Sequence, residues 1–309
     1  MLDMQHKDMW YMQSWKNNCK IERKIKMKVL INLLKFIFIT ILTICLIALG
    51  AITIASSTVL DKNYVMQKLE ETDFYSGTYK LVESNFEKYI YQSGLDEDVL
   101  KSICTEDKVK NDINLMLSNI YDGTNKTIDT AEISTNLNTN IDKLGIKTKQ
   151  NEKAINEFVT HICNEYTDTL VHSKYENQIN NVYKKAINNL NKVYNAILIV
   201  TVVDLILILV INNKKVSKDL QDFGIAMMAT SIFGIAGCQI VQAKVNIQGI
   251  KIFNDVFSNS LVTIIQDVFH KMISLSVGML VISIVAIGIY VARGVMKKTK
   301  ENIETGKEM

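Results

Sequence analysis

An aspartate stands inside an otherwise apolar stretch: residues 200–212 are VTVVDLILILVIN, and Asp204 is the carboxylate. A charged aspartate at the centre of a lipid-facing helix costs about 2.5–3.5 kcal/mol, so we expect this side chain to face other helices. Two later apolar stretches offer it hydroxyl and amide partners, namely Thr230, Ser231, Gln239, Ser276 and Ser283. The sequence therefore predicts a packing and hydrogen-bonding role. Proton or ion handling, and a salt bridge to a basic residue of a partner protein, are the alternatives.

A second group of chemically capable residues lies in the stretch EFVTHICNEY. Glu157, His161 and Glu165 follow one another at steps of four residues, and Asp168 and His172 continue the same helical face. A zinc site needs about three or four convergent ligands, and one helix presents too few of them. The HExxH arrangement of metalloproteases is absent. Ordinary pairs between residues four apart on a solvated face explain the pattern better, so we expect no bound metal.

Motifs of common enzyme classes are missing from the sequence. It contains no P-loop, no nucleophile elbow and no dinucleotide-binding glycine pattern. We therefore expect neither an enzyme nor a cofactor. Nothing in the charge pattern favours a nucleic-acid partner.

Two cysteines, Cys104 and Cys163, fall in the same predicted domain. A disulfide between them is chemically permitted if that domain lies outside the cytoplasm. Spacing along the chain does not fix the distance between their backbones. A bond and two free thiols therefore both stay open.

Four charge-poor runs position these residues. Residues 36–60, 223–243 and 273–292 contain no charged side chain, and residues 196–211 contain only Asp204. Each run approaches the roughly 20 apolar residues that cross a bilayer. The first run exceeds the apolar core of a secretory signal peptide, so we predict an uncleaved anchor. We therefore predict an all-α membrane protein: four transmembrane helices with a helical extracytoplasmic domain inserted between the first and second.

The predicted order of segments follows from these runs. Transmembrane helices are expected at 36–58, 194–212, 223–243 and 273–292. The other segments are a basic tail at 1–35, the outer domain at 59–193, a loop at 213–222, an outer amphipathic helix at 244–272 and a tail at 293–309. Met1 and Met27 are alternative starts, and both precede the first span.

Lysine and arginine counts predict the orientation in the membrane. The segments KIERKIKMK, NNKKVSKDLQD and RGVMKKTK are basic, and cytoplasmic segments carry such an excess. Residues 57–193 contain 16 Lys and 21 Asp or Glu. We therefore expect a multi-pass cell-membrane protein with both termini in the cytoplasm.

Helical periodicity dominates the predicted outer domain. Apolar residues in TDFYSGTYKLVESNFEKYIYQSG and TEDKVKNDINLMLSNIYDG recur at steps of three and four, between capping residues and a glycine. Further helices are predicted at 127–144 and from Asn151 onwards. No helix breaker separates residue 173 from residue 211, so one continuous helix is expected there.

Small residues predict where membrane helices approach closely. Ala226, Thr230, Gly234 and Cys238 recur every four residues, which favours packing against a neighbouring helix. Gly278 and the pair of Gly288 with Ala292 offer similar seams on the fourth span. The amphipathic segment at 244–272 is expected either to lie in the outer membrane interface or to pack against the outer domain, with the second preferred.

Two resemblances add to this picture. The stretch SSTVLDKNYVMQKLEETDFYSGTYKLVESNFEKYIYQSGLDEDVLK, followed by VKNDINLMLSNIYDG, resembles a group of uncharacterised clostridial-type membrane proteins with an outer helical domain after the first span. The layout of one span, a large outer domain and three further spans is similar to FtsX and MacB type ABC-transporter membrane subunits. That likeness implies movement passed between a cytoplasmic ATPase and an outer domain.

The leading functional expectation is a non-enzymatic membrane protein whose outer domain binds a protein partner or ligand. The alternatives are a transport or mechanotransmission subunit that works with an ATPase, and a small ion-conducting assembly built around Asp204. The lipid bilayer is an expected partner in each case, and a homo-oligomer remains open.

Overall fold

The computed structural model describes residues 2–170, 173–213, 215–251 and 254–306. It describes the side chains of these residues except at 2–21, 24, 92, 173–180, 298 and 300–306. Nine α-helices, two short 3₁₀ turns and no strand occur in these ranges. Four of the helices are long and apolar enough to cross a membrane. The predicted all-α membrane class is confirmed.

The helices follow one another with short connections. They are α1 (Leu2–Ser56), α2 (Lys62–Glu71), α3 (Phe74–Ser93), α4 (Glu106–Tyr121), α5 (Ala131–Lys143), α6 (Glu152–Leu170), α7 (Ser173–Ile211), α8 (Val216–Lys244) and α9 (Asp255–Gly306). The candidate membrane-spanning parts are Ile25–Ser56, Asn181–Ile211, Val216–Lys244 and Asp255–Lys297. The continuous helix expected from residue 173 to residue 211 is confirmed as α7.

The chain divides into two compact units. The span unit comprises Met1–Ala51, Tyr194–Ile240 and Met272–Met309, and the bundle unit comprises Ile52–Val193 and Val241–Lys271. Helices α1, α7, α8 and α9 contribute residues to both units.

A continuous apolar core holds the bundle unit together. Its buried side chains come from α2 to α6 and include Val82, Ile133, Leu137 and Ile162, each with no exposed surface. Burying one such side chain stabilises the fold by about 1.5–3 kcal/mol. The helix ends agree with the sequence: Gly94 ends α3 with φ 69°, and the Thr105 hydroxyl accepts from the Lys108 N–H at the start of α4.

The segment predicted as one amphipathic helix at 244–272 is different in the structure. A 3₁₀ turn occupies Ile247–Gly249, and α9 begins at Asp255 and runs unbroken to Gly306. Asn246 explains the turn, because its side-chain oxygen accepts from the Gly249 N–H and competes with a helix.

The first turns of α9 pack against α2 and α3. The Phe74 and Phe257 rings meet edge to face with centroids 6.3 Å apart. The Thr72 and Ser260 hydroxyls lie 2.7 Å apart. A Cβ on Gly77 would approach Val256 Cγ1 to 2.8 Å, so glycine permits this contact. Packing against the bundle, the preferred expectation for this segment, is confirmed.

Within the span unit, contacts fix the relative directions of the helices. Helices α1 and α8 run parallel, because Lys35 contacts Asp222 and, eight residues further on, Thr43 contacts Thr230. Helix α9 runs antiparallel to α8. The backbone of α8 closely approaches α9 at Gly224 and at Gly234, where a Cβ would meet Ile287 and Ser276, respectively.

The connection between α7 and α8 is shorter than the predicted loop at 213–222. Helix α7 ends at Ile211 and α8 begins at Val216, so the first two turns of α8 fall inside the predicted loop. Asn213 adopts a left-handed conformation with φ 53°, which asparagine tolerates better than most residues. This tight turn brings residues of both helix ends together.

Candidate functional site

Polar side chains are buried on all four helices of the span unit. Those with less than a tenth of their surface exposed are Thr43 on α1; Thr201 and Asp204 on α7; Asn212, just after α7; Asp222, Thr230 and Ser231 on α8; and Ser276 and Ser283 on α9. Exposed faces of the same helices are mostly apolar. The interior of the unit is thus more polar than its outer surface.

Helix geometry places Asp204 at the level of Thr230. Ile208 packs with Leu42 of α1 and Ala226 of α8 in one buried cluster. Asp204 lies one helical turn from Ile208 on the same face of α7. One turn beyond Ala226, in the same direction along the unit, α8 carries Thr230. The Thr230 hydroxyl lies 3.4 Å from the carbonyl oxygen of Thr43, which places α1 at this level as well.

Hydrogen bonding from hydroxyl groups to Asp204, expected from the sequence, is not found. Thr230 donates to the Ala226 carbonyl, Ser231 to Met227, Ser276 to Met272 and Ser283 to Leu280. Each serine or threonine therefore satisfies its O–H within its own helix. Asp204 is only 3% exposed, and its Oδ2 has no hydrogen-bond partner.

Two other expectations about Asp204 are corrected by its surroundings. Gln239 is exposed, because it follows buried Cys238 and the next position on a helix turns by about 100° away from the interior. A salt bridge to a partner protein is disfavoured, because Asp204 is covered by its own chain.

The predicted small-residue ridge on α8 lies against neighbouring helices. Ala226, Thr230 and Cys238 are buried, and Gly234 faces Ser276 of α9. The close helix contacts predicted at Gly278 and Gly288 of α9 are not found, because a Cβ at either position would meet no atom within 4 Å. Close packing between α8 and α9 therefore depends on glycines of α8.

A polar cluster at the turn between α7 and α8 was not singled out from the sequence. The Asn212 amide nitrogen donates to Asp219 at 2.8 Å and to Asp222 at 2.7 Å. The Lys35 ammonium binds the same Asp222 oxygen at 3.3 Å. The signal for this cluster in the sequence is the pair of aspartates, Asp219 and Asp222, three residues apart shortly after the second apolar run. Their contacts join α1, α7 and α8 at one end of the span unit.

The bundle unit contains its own buried polar network. Asp112 Oδ2 accepts from the Tyr166 hydroxyl at 2.5 Å and from the Lys108 ammonium at 3.1 Å. Lys108 also donates to the Asp129 carbonyl at 2.8 Å. Burial, and then the bond to Asp112, raises the pKa of Tyr166. The network joins α4 to α6, and none of its buried side-chain nitrogen or oxygen atoms lacks a hydrogen-bond partner, which indicates a structural role.

Cys104 and Cys163 are free thiols, so the disulfide left open from the sequence is not formed. Their sulfur atoms instead approach backbone carbonyls, of Thr105 at 3.7 Å and Thr130 at 3.9 Å. Burial raises the pKa of Cys104 to about 11.

The acidic and histidine side chains of α6 do not converge on one point as the ligands of a metal site would. Glu157 and His161 lie on the solvent-exposed face of α6, whereas Glu165 accepts a hydrogen bond from Tyr89 of α3. The residues along this face, from just before α6 onwards, are Lys149, Glu152, Lys153, Asn156, Glu157, Thr160 and His161. His172 lies outside the described residues. Among the residues that are described, no three His, Cys, Asp or Glu side chains form a metal-binding group.

Comparison of the chain with protein-family models, curated proteins and solved structures gives no match. Function is therefore inferred from the residues and contacts of this chain alone.

Proposed function

We propose that this protein is a multi-pass cell-membrane protein that presents the bundle unit at the extracytoplasmic face, where the unit binds a protein partner. The observation that carries the proposal is the difference between the two surfaces. Of the 41 large apolar side chains that are exposed in the described chain, 34 belong to the span unit and seven to the bundle unit. A surface rich in apolar residues suits lipid, and a polar surface over a closed apolar core suits water.

The arrangement of basic segments supports the proposed orientation. The Lys35–Asp222 contact brings the end of the N-terminal tail to the turn between α7 and α8. The approach of Ile287 to Gly224 brings the last part of α9 to the same end of the span unit. The three lysine-rich and arginine-rich segments thus leave the span unit at one end, as a cytoplasmic location of all three requires.

A face of α6 is the surface that we assign to the partner. It carries both signs of charge: Lys153 and Glu157 are exposed and lie 3.9 Å apart, and Lys147, just before the helix, binds Glu152 at 3.4 Å. Exposed charges of both signs steer and orient the association of two proteins. They are less suited to a site that buries a small ligand. This face of α6 is open to solvent and is therefore accessible to another protein.

The experiment that tests this function is site-specific photo-cross-linking in intact cells. A photo-reactive amino acid at Asn156 or Thr160, both exposed on this face of α6, should yield a cross-link to one other protein. The matched control is the same amino acid at Thr139, which is exposed on another helix of the bundle unit. Cross-links of equal yield and identity from both helices would contradict a specific surface on α6. Cross-links only between copies of this chain would replace the partner by a homo-oligomer.

The alternative of an ATPase-coupled subunit is weakened by one structural detail. An ATPase would dock on the segment NNKKVSKDLQD and on the basic tails, and in that segment Asp219 and Asp222 already accept hydrogen bonds from Asn212. The continuous α7 remains compatible with mechanical transmission. Surface binding is therefore the function that we put forward.

A further inference from the structure

The span unit contains an acidic group whose charge is balanced by no neighbour among the described residues. Asp204 is 3% exposed and its Oδ2 lacks any partner. An ionised carboxylate without hydrogen bonds or a counter-charge is strongly disfavoured in apolar surroundings. A buried position of this kind therefore requires a bound proton or another cation.

The charged and titratable groups on the packed helices do not supply the counter-charge. On α1, Lys35 is bound to Asp222, and Cys45 is a buried thiol. On α8, Asp222 is acidic and Cys238 is a buried thiol. On α9, residues 273–292 contain no charged side chain, and Tyr290 is their titratable group. The Asp222 level lies eight residues from Thr230 along α8, which is about 12 Å.

The groups around the Asp204 level present acceptor oxygens. The Thr230 hydroxyl donates its hydrogen to Ala226 and lies near the Thr43 carbonyl. The Thr43 hydroxyl likewise donates within its own helix, to Ile39 at 2.8 Å. A hydroxyl whose hydrogen is committed in this way offers its lone pairs. Carboxylate, hydroxyl and carbonyl oxygens together suit a cation and do not suit an anion.

We propose that Asp204 is the binding carboxylate of a site for one small monovalent cation, H⁺ or Na⁺, inside the span unit. One carboxylate balances one positive charge, whereas hard divalent ions take several charged or carbonyl oxygens. Thr230 Oγ1 and the Thr43 carbonyl are oxygens that the helix register brings to the same level. This site is independent of the partner-binding function proposed for the bundle unit.

The test is labelling of the full-length protein with dicyclohexylcarbodiimide in lipid vesicles. The reagent adds to the O–H of a protonated carboxyl group to form an O-acylisourea, which rearranges to a stable N-acylurea with no further reactant. Peptide mass spectrometry then measures the label on Asp204 between pH 5.5 and 8.5, in NaCl or in choline chloride at equal ionic strength.

For a proton site, labelling of Asp204 should fall with rising pH, by up to about tenfold per pH unit once the carboxyl group ionises, and should be equal in the two salts. For a sodium site, NaCl should reduce the labelling several-fold relative to choline chloride at the same pH. No labelling of Asp204 under any condition would overturn the proposal. Labelling that is indifferent to both pH and Na⁺ would also overturn it, because it would mean a permanently protonated structural group.

Two variants separate the site from its neighbours. Asp204→Asn should abolish the label on this peptide. Asp222→Asn should leave the label on Asp204 and its dependence on pH or Na⁺ unchanged, because Lys35 already occupies Asp222. The wild-type measurements decide the proposal even if a variant fails to fold, since the dependence on pH and Na⁺ needs no substitution.

Discussion

Tyr166 shows how a single side chain can join two helices of the bundle unit. Its ring has no exposed surface, its hydroxyl donates to Asp112, and the Lys108 ammonium lies 5.7 Å from the ring centroid. Removing one partner of a buried hydrogen bond leaves the other partner unsatisfied, which costs more than the bond itself contributes.

We expect Tyr166→Phe to destabilise the bundle unit by about 1–3 kcal/mol, because Asp112 loses a hydrogen bond in a buried position. Hydrogen exchange of α4 and α6 peptides in the full-length protein in detergent measures the change. Tyr91→Phe is the matched control, since Tyr91 is 91% exposed and should change stability by less than about 0.5 kcal/mol. Equal exchange in the two variants would argue against a stabilising network.

The same residue gives the bundle unit a predicted loss of stability at high pH. The pKa of Tyr166 is raised by burial, and burial also raises the pKa of Tyr75 and of Tyr121 to about 12 each. A tyrosine whose pKa is higher in the folded than in the unfolded protein contributes its full stabilisation below the unfolded pKa, near 10. That stabilisation is lost as the pH rises towards the folded pKa. Exchange protection of α4 and α6 should therefore decrease from pH 10 to 12, less steeply in Tyr166→Phe.

At the scale of the helices, α8 and α9 show where small residues matter. The sequence offers glycines on both helices, and spacing alone does not distinguish a glycine in contact from one on an exposed face. The structure makes that distinction: Gly224 and Gly234 lie against α9, whereas Gly278 and Gly288 are exposed.

We predict that Gly234→Leu lowers the thermal midpoint of the full-length protein in detergent by several degrees, because a side chain there meets Ser276 and forces the helices apart. Gly278→Leu should leave the midpoint nearly unchanged, since a Cβ there meets no atom within 4 Å. Both substitutions raise helix propensity equally, so the difference reports packing. A larger effect at Gly278 would mean that this seam contacts another chain.

Helix boundaries were predicted well where periodicity and caps agree, as in α4 and at the Gly94 end of α3, whereas Asp73 at the start of α3 makes no capping hydrogen bond. They were predicted less well where a polar side chain competes with the backbone or where a turn is very short. Asn246 ends the helical pattern before α9, and the turn after Ile211 makes residues 216–222 helical. Both cases depend on contacts that periodicity does not record.

At the scale of the whole molecule, the segregation of apolar surface leads to a prediction of topology. In a background without Cys19 and Cys163, a cysteine at Thr160 should react with a membrane-impermeant maleimide on intact cells, because this exposed position belongs to the bundle unit. A cysteine at Lys215, exposed at the turn after α7, should react only after the cells are opened. The opposite pattern would reverse the proposed orientation.

The sequence by itself determined the helical class, the four apolar spans and the outer face of most helices, because these follow from local composition and from a period of 3.6 residues. Only the tertiary structure decided which polar groups meet. The spacing of Cys104 and Cys163 allowed a bond that the fold does not make, and Gln239 proved to be exposed. Asp204 was recognisable as exceptional from its neighbours in the chain. Its lack of a partner, however, depends on the rotation of three other helices, since their hydroxyl groups bond within their own backbones.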